Sequence, residues 1–283
     1  MTYRMKNILL SIFLLAGAET FAGGGWPIGK KKSYIKLGQN AIVSPFYYSP
    51  SGEIVDIRTT SLFTTSLYAE YGLSDRLTAI LYMPFFVRAT LNEVQYRQSG
   101  RIDEGEVLNA FGDTDISFKY SLVKDKPIVV STTILLGLPF GETRGGASGI
   151  LQSGDGEFNQ LLRVDASHSF YPKPLYASAY VGINNRTKNF SDDFRAGAEV
   201  GYTFKSKLVT ILKFDLVQSF FNRSTLVADN GIFSNNTEYV SPSVELAYVV
   251  NKKWGVSALA GFALAGRNIL AAPNLGVGIF VKR

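Results

Sequence analysis

The chain has 283 residues with one histidine and no cysteine, which limits its chemistry before any fold is considered. His168 stands between Ser167 and Ser169, residue types that can pair as base and nucleophile in hydrolysis. The pairing requires both side chains on one face, and neighbours in an extended strand point to opposite faces. His168 also shares its parity with Val164, Ala166 and Phe170, an apolar set. It therefore reads as a histidine at an interface, and no catalytic residue is assigned. A single histidine rules out a multi-histidine metal site, and the absence of cysteine rules out a thiolate one. Asp103, Glu104 and Glu106, or Asp155 and Glu157, could offer oxygen ligands to a divalent cation, but they lie in polar stretches that read as solvated loops. No metal or cofactor is expected. The run Gly145-Gly146-Ala147-Ser148-Gly149 lacks the Gly-Lys-Ser/Thr ending of a phosphate loop and reads as a flexible external loop.

A second set of polar residues does share a face. Glu70, Lys119, Arg163, Asp165, Arg195, Glu199, Lys213, Asp215 and Glu245 all fall on the polar parity of alternating segments. If those segments close around an interior, the nine residues line it. They then form either a path whose mixed charge sets selectivity or an ion-pair network that fills and stiffens the interior; the two roles are compatible.

The elements that would hold them are strands. Period-two alternation recurs almost to the last residue, and helical periodicity does not. In Phe194-Arg195-Ala196-Gly197-Ala198-Glu199-Val200-Gly201-Tyr202-Thr203-Phe204, one face carries Phe, Ala, Ala, Val, Tyr and Phe, and the other Arg, Gly, Glu, Gly and Thr. Twelve such segments are expected, near 33–48, 57–72, 76–87, 113–122, 128–139, 158–170, 175–183, 194–204, 208–217, 237–249, 254–265 and 272–282. Many exceed the roughly five or six residues usual in globular proteins and suit a tilted crossing of a bilayer. The connections alternate in length. Short turns fall at 73–75, 123–126, 171–173, 205–207 and 251–253, and longer polar or glycine-rich loops at 88–112, 141–157, 184–193 and 218–236. Short periplasmic turns opposite long external loops are the asymmetry of an outer-membrane barrel. The even strand number returns both ends of the wall to the same side. Tyr71, Tyr120, Phe170, Tyr202, Phe204, Tyr248 and Trp254 lie on the apolar parity beside the short turns, where a membrane-facing aromatic girdle is expected. Phe85, Phe140, Phe158 and Phe194 suggest a fainter upper ring.

The fold expected is therefore all-β: a transmembrane antiparallel barrel of about twelve strands over 33–283, its edges closed because open edges in hydrocarbon leave backbone groups unsatisfied. Residues 1–22 read as a cleavable signal peptide. Arg4 and Lys6 precede an apolar run from Ile8 to Ala18, and Thr20-Phe21-Ala22 ends in a small residue. Residues 23–32 form a periplasmic segment, in which Trp26, Pro27 and Ile28 make a small apolar head after three glycines. That head either plugs the periplasmic mouth or anchors at the headgroups. Pro45 leaves the parity of the first strand open. If the turn after Phe204 centres on Ser206, Glu199 opposes Lys213 and forms an ion pair, with Arg195 diagonal to Asp215. The protein is placed in the outer membrane of a Gram-negative bacterium, with membrane lipids, lipopolysaccharide and the barrel-assembly machinery as partners. The net charge of +6 is interspersed, and an exported chain has no nucleic-acid partner.

Several strings resemble the family of outer-membrane transporters named for the meta-pathway of phenol degradation. Gly112-Asp113-Thr114-Asp115-Ile116-Ser117-Phe118-Lys119-Tyr120 is similar to its Gly-Asp…Lys-Tyr strand, and Leu138-Pro139-Phe140-Gly141-Glu142 to its Leu-Pro-x-Gly-Asp/Glu strand end. Tyr71-Gly72-Leu73-Ser74-Asp75-Arg76-Leu77 resembles its periplasmic turn. The resemblance runs from about Tyr71 onward and implies passive uptake of small apolar or aromatic solutes, as in the related fatty-acid channels. A structural or adhesive barrel without transport is the alternative, and a lipid-modifying barrel enzyme a more distant one.

Overall fold

In the computed structural model the described residues are 24–223 and 231–283; the expected signal peptide and Gly23 lie outside them. In chain order the strands begin with β1 (Ser33–Tyr48), β2 (Ile54–Gly72), β3 (Leu77–Leu91), β4 (Val94–Gln95), β5 (Ile102–Asp103), β6 (Glu106–Ala110), β7 (Thr114–Val123) and β8 (Ile128–Leu138). They continue with β9 (Asn159–Ser169), β10 (Leu175–Arg186), β11 (Asp193–Phe204), β12 (Leu208–Ser219), β13 (Glu238–Val249), β14 (Trp254–Gly261), β15 (Ala265–Arg267), β16 (Ile269–Leu270) and β17 (Asn274–Lys282).

Twelve of these form the wall. Antiparallel pairing runs β1-β2-β3-β7-β8-β9-β10-β11-β12-β13-β14-β17, and β17 pairs with β1, so the sheet closes on itself. The five short strands extend it at the rim or sit in a loop. The expected segments match the twelve wall strands closely. The main differences are at β3, which runs on to Leu91, and at β14, which stops at Gly261 where 254–265 was expected. The first-strand ambiguity resolves as a register shift between Ser44 and Phe46, around Pro45, which cannot donate to the ladder.

The wall is apolar outside. On β17, Leu275, Val277, Ile279 and Val281 are each about half exposed, while Asn274, Gly276, Gly278 and Phe280 face inward. Exposed aliphatic residues on a closed wall belong in hydrocarbon, because such a belt in water would cost on the order of 25 cal/mol per Å². Tyr71, Tyr120, Phe170, Tyr202, Phe204, Tyr248 and Trp254 all project outward beside the short turns. The fold is that of an outer-membrane β-barrel.

Candidate functional site

The polar interior has a floor, a central chamber and an outer pocket. Residues 24–29 form the floor, inside the mouth at the short-turn end. Gly25 N donates to Ser167 Oγ at 2.7 Å, and Ser131 Oγ donates to Gly25 O. Lys119 Nζ donates to Gly24 O at 2.9 Å, and Ile28 N to Thr78 Oγ1 at 3.1 Å. Trp26 meets the inward-facing Tyr176 edge-on, ring centres 5.5 Å apart. Ile28 packs against a buried cluster of Tyr34, Val209, Ile211, Ala247 and Phe280. Two glycines are required by this docking. Gly24 has φ +68°, and a Cβ there would stand 2.1 Å from Ser178 Oγ; one on Gly72 would stand 1.7 Å from Gly29 O.

Above the floor is a cavity of about 430 Å³ that mixes charge with aromatic rings. Of the nine residues predicted to line the interior, Arg163, Asp165, Glu199, Lys213, Asp215 and Glu245 line this chamber. Glu70, Lys119 and Arg195 lie on the same inner face but outside it. Glu70 accepts from Tyr68 Oη, Lys119 holds the floor, and Arg195 pairs with Asp193 at 2.7 Å. Arg163 pairs with Asp165 at 2.5 Å and lies over the Tyr180 ring at 4.3 Å.

The register places Glu199 opposite Lys213, but the expected Glu199–Lys213 ion pair does not form. Glu245 receives Lys213 Nζ at 2.6 Å and Lys36 Nζ at 2.5 Å. It bridges two cations where Glu199 could hold one. The route from β1 is open because Gly278 lies beneath it; a Cβ there would meet Lys36 Cε at 2.7 Å. Arg195 likewise does not reach Asp215. Asp193, two residues away on the same strand face, takes it, and Asp215 accepts from Tyr180 Oη at 2.8 Å.

The sequence reading did not place Lys36, Asp115, Asp193 or the inward tyrosines. Lys36 was hidden by the unsettled parity of the first strand. Asp115 shares the parity of Lys119 and could have been read from it. Tyr34, Tyr68, Tyr82 and Tyr180 were hidden because an aromatic on a polar face looks apolar in a one-letter pattern.

At the outer end the loops fold inward. The expectation that Asp155 and Glu157 lie in an ordinary solvated loop is corrected. Leu151 and Glu157 are fully buried, and Gln152 and Ser153 nearly so. Arg186 explains this: its guanidinium binds Glu157 at 2.7 Å and Asp155 at 2.8 Å and stacks on Phe190. Asp113 accepts from Gly141 N and Asp155 N, each at 2.8 Å, and so pins both ends of the loop. Burial raises the Asp113 carboxyl to about 6, and the Asp155 charge adds to the rise. Tyr47 Oη holds Gly231 O and Ser234 Oγ of the neighbouring loop. Beneath these loops Ala89, Leu91 and Leu151 are buried with Leu62, Leu108 and Ile232. Beside that cluster lies a pocket of about 620 Å³, lined mainly by apolar groups including Val55, Ile57, Leu91, Ile150, Leu151 and Leu270.

His168 lies on the opposite face from Ser167. Its Nδ1 is 2.6 Å from Pro127 O and its ring meets Phe170, while Ser167 is inside with Ser178 and Gly25. Among the described residues no cluster of three or more His, Cys, Asp or Glu is placed to hold a metal.

No family model matches this chain, and no curated protein does. Solved structures do. An outer membrane channel from Pseudomonas putida F1 is similar over 94% of this chain and 100% of its own, with a TM-score of 0.66 and 14% identity. The KdgM porin, solved with oligogalacturonate, covers 87% of this chain and 98% of its own at a TM-score of 0.48 and 8% identity. The CymD monoaromatic hydrocarbon channel covers 90% and 88% at a TM-score of 0.40 and 11% identity. The first likeness supports the barrel fold. The other two fall below the level at which a fold is assigned.

Proposed function

We propose that the protein is an outer-membrane channel for passive uptake of small, mostly apolar or aromatic solutes. The carrying observation is that its interior is divided rather than filled. An apolar pocket of about 620 Å³ at the outer end and a polar chamber of about 430 Å³ nearer the periplasm are separate cavities in one closed wall. A purely structural barrel of this size gains nothing from such spaces, since unfilled volume forfeits packing contacts. The apolar outer pocket suits capture of an apolar body from water. The floor of residues 24–29 is a separate segment outside the wall strands, held by a few hydrogen bonds, one aromatic contact and the packing of Ile28, and reads as a plug that can yield. The strings shared with the phenol meta-pathway transporters lead to the same class of solute.

Deleting residues 23–29 tests this reading. In planar bilayers the shortened barrel should carry a larger single-channel conductance than the full chain. Equal conductance from two properly assembled barrels would remove the plug, and no conductance from either would remove the channel.

A further inference from the structure

The chain as a whole is basic, with net charge +6, yet the charge its interior presents has the opposite sign. Between the two mouths, every described lysine or arginine on the inner face is already engaged. Lys36 and Lys213 share Glu245, Arg163 holds Asp165, and Arg195 holds Asp193. Lys119 is committed to the floor through Gly24 O. The carboxylates are not matched in the same way. Among the described residues, Glu70, Asp115, Glu199 and Asp215 have no cation within ion-pair distance, and the last two line the central chamber. Asp215 has one neutral donor, Tyr180 Oη. Glu199 has the hydroxyl of Tyr176, a residue only 7% exposed, as its neighbouring donor, and that donor too is neutral. Tyr176 crosses Gly201 on the same inner face, one register step from Glu199. A buried carboxylate whose donors are all neutral keeps an uncompensated negative charge.

The walls add a second feature. Tyr68, Tyr82 and Tyr180 line the chamber beside these carboxylates. The Tyr180 face already carries a cation, the Arg163 guanidinium, and ring faces of this kind attract organic cations.

We propose that the chamber selects cations, and that the solute class it passes is an organic ammonium carried on an apolar or aromatic body. The outer pocket would take the apolar body. Glu199 and Asp215 would receive the ammonium, with the tyrosine faces around it. This deepens the channel reading and rests on it.

The sign of the selectivity is measurable on the full chain without any substitution. In a planar bilayer with a KCl gradient, the reversal potential should favour potassium over chloride by about fivefold, the order expected of one uncompensated charge acting over roughly 10 Å. Liposomes containing the barrel should admit benzylammonium faster than benzoate. The double variant Glu199→Gln with Asp215→Asn, shown to be assembled by its circular dichroism, should lose the preference or reverse it, because two negative charges leave the chamber. The new amide on β12 still offers Tyr180 Oη an acceptor, and the new amide on β11 leaves no cation without its partner. A reversal potential at zero or favouring chloride would overturn this proposal and leave the channel standing. An unchanged cation preference in the double variant would overturn the assignment to these two residues. Absence of current from both the full chain and the 23–29 deletion would overturn the channel reading and this proposal with it.

Discussion

Glu245 is the residue whose removal should damage the barrel interior most. Its two oxygens hold Lys213 at 2.6 Å and Lys36 at 2.5 Å, and these lysines belong to strands on either side of it around the wall. Glu245→Gln keeps the shape and deletes the charge, leaving two ammonium groups facing one neutral amide. Breaking a fully buried ion pair costs about 3–5 kcal/mol. The lysine side chains are 22% and 28% exposed to the chamber, so partial hydration reduces the cost to about 2–3 kcal/mol. Lys213→Met should cost only about 1 kcal/mol, because Glu245 keeps Lys36. Replacing all three by apolar residues of similar size, Lys36→Met, Lys213→Met and Glu245→Leu, should recover to within about 1 kcal/mol of the parent, since no charge is left alone. Glu199→Gln should leave stability unchanged or raise it slightly. Reversible urea unfolding in lipid vesicles, followed by the emission of Trp26 and Trp254, reads these differences. A Glu245→Gln barrel as stable as the parent, or a triple variant as weak as the single, would refute the reasoning.

Three further outcomes follow from the floor, the loops and the turn beneath the floor. Gly24→Val places a branched side chain where φ is +68° and Ser178 Oγ is 2.1 Å from the Cβ position; it should release the floor and raise conductance toward that of the 23–29 deletion. The loop over 141–157 should be better protected from hydrogen exchange at pH 5 than at pH 7.5. Asp113 has a value of about 6 in the folded barrel against an ordinary 3.8, so its favourable contribution is complete below 3.8 and is lost as pH rises through about 6. Burial raises Glu157 as well, which acts in the same direction; faster exchange at pH 5, after correction for intrinsic rates, would contradict this. Gly72→Ala should loosen the floor too, because its new methyl would occupy the position of Gly29 O; an unaltered tryptophan emission from Trp26 would argue against it.

The wall could be read from the sequence because alternation is a local property. A residue's face depends on its parity, and parity survives small errors in strand ends, so the twelve wall strands, the short turns and the outward aromatics follow from the pattern alone. Register followed where a turn was tight. Centring the turn on Ser206 placed Glu199 opposite Lys213, and the strands pair that way. What could not be read was which of several neighbours on one face a flexible charge would choose. Lys213 is opposite Glu199 but bonds Glu245, and that choice depends on Lys36 arriving from β1 across Gly278. Lys213 and Glu245 are diagonal neighbours on the paired strands β12 and β13, but the Lys36 contact spans 209 residues and reaches past β14 and β17, beyond any pairing rule between adjacent strands. The same limit explains the loop over 141–157. Its composition is that of a solvated segment, and Glu157 is buried only because Arg186 comes from β10 to meet it. A barrel's outer face is dictated residue by residue by the membrane. Its interior is settled by competition among side chains from many strands, and there Glu199 and Asp215 are left without a cation of the protein's own.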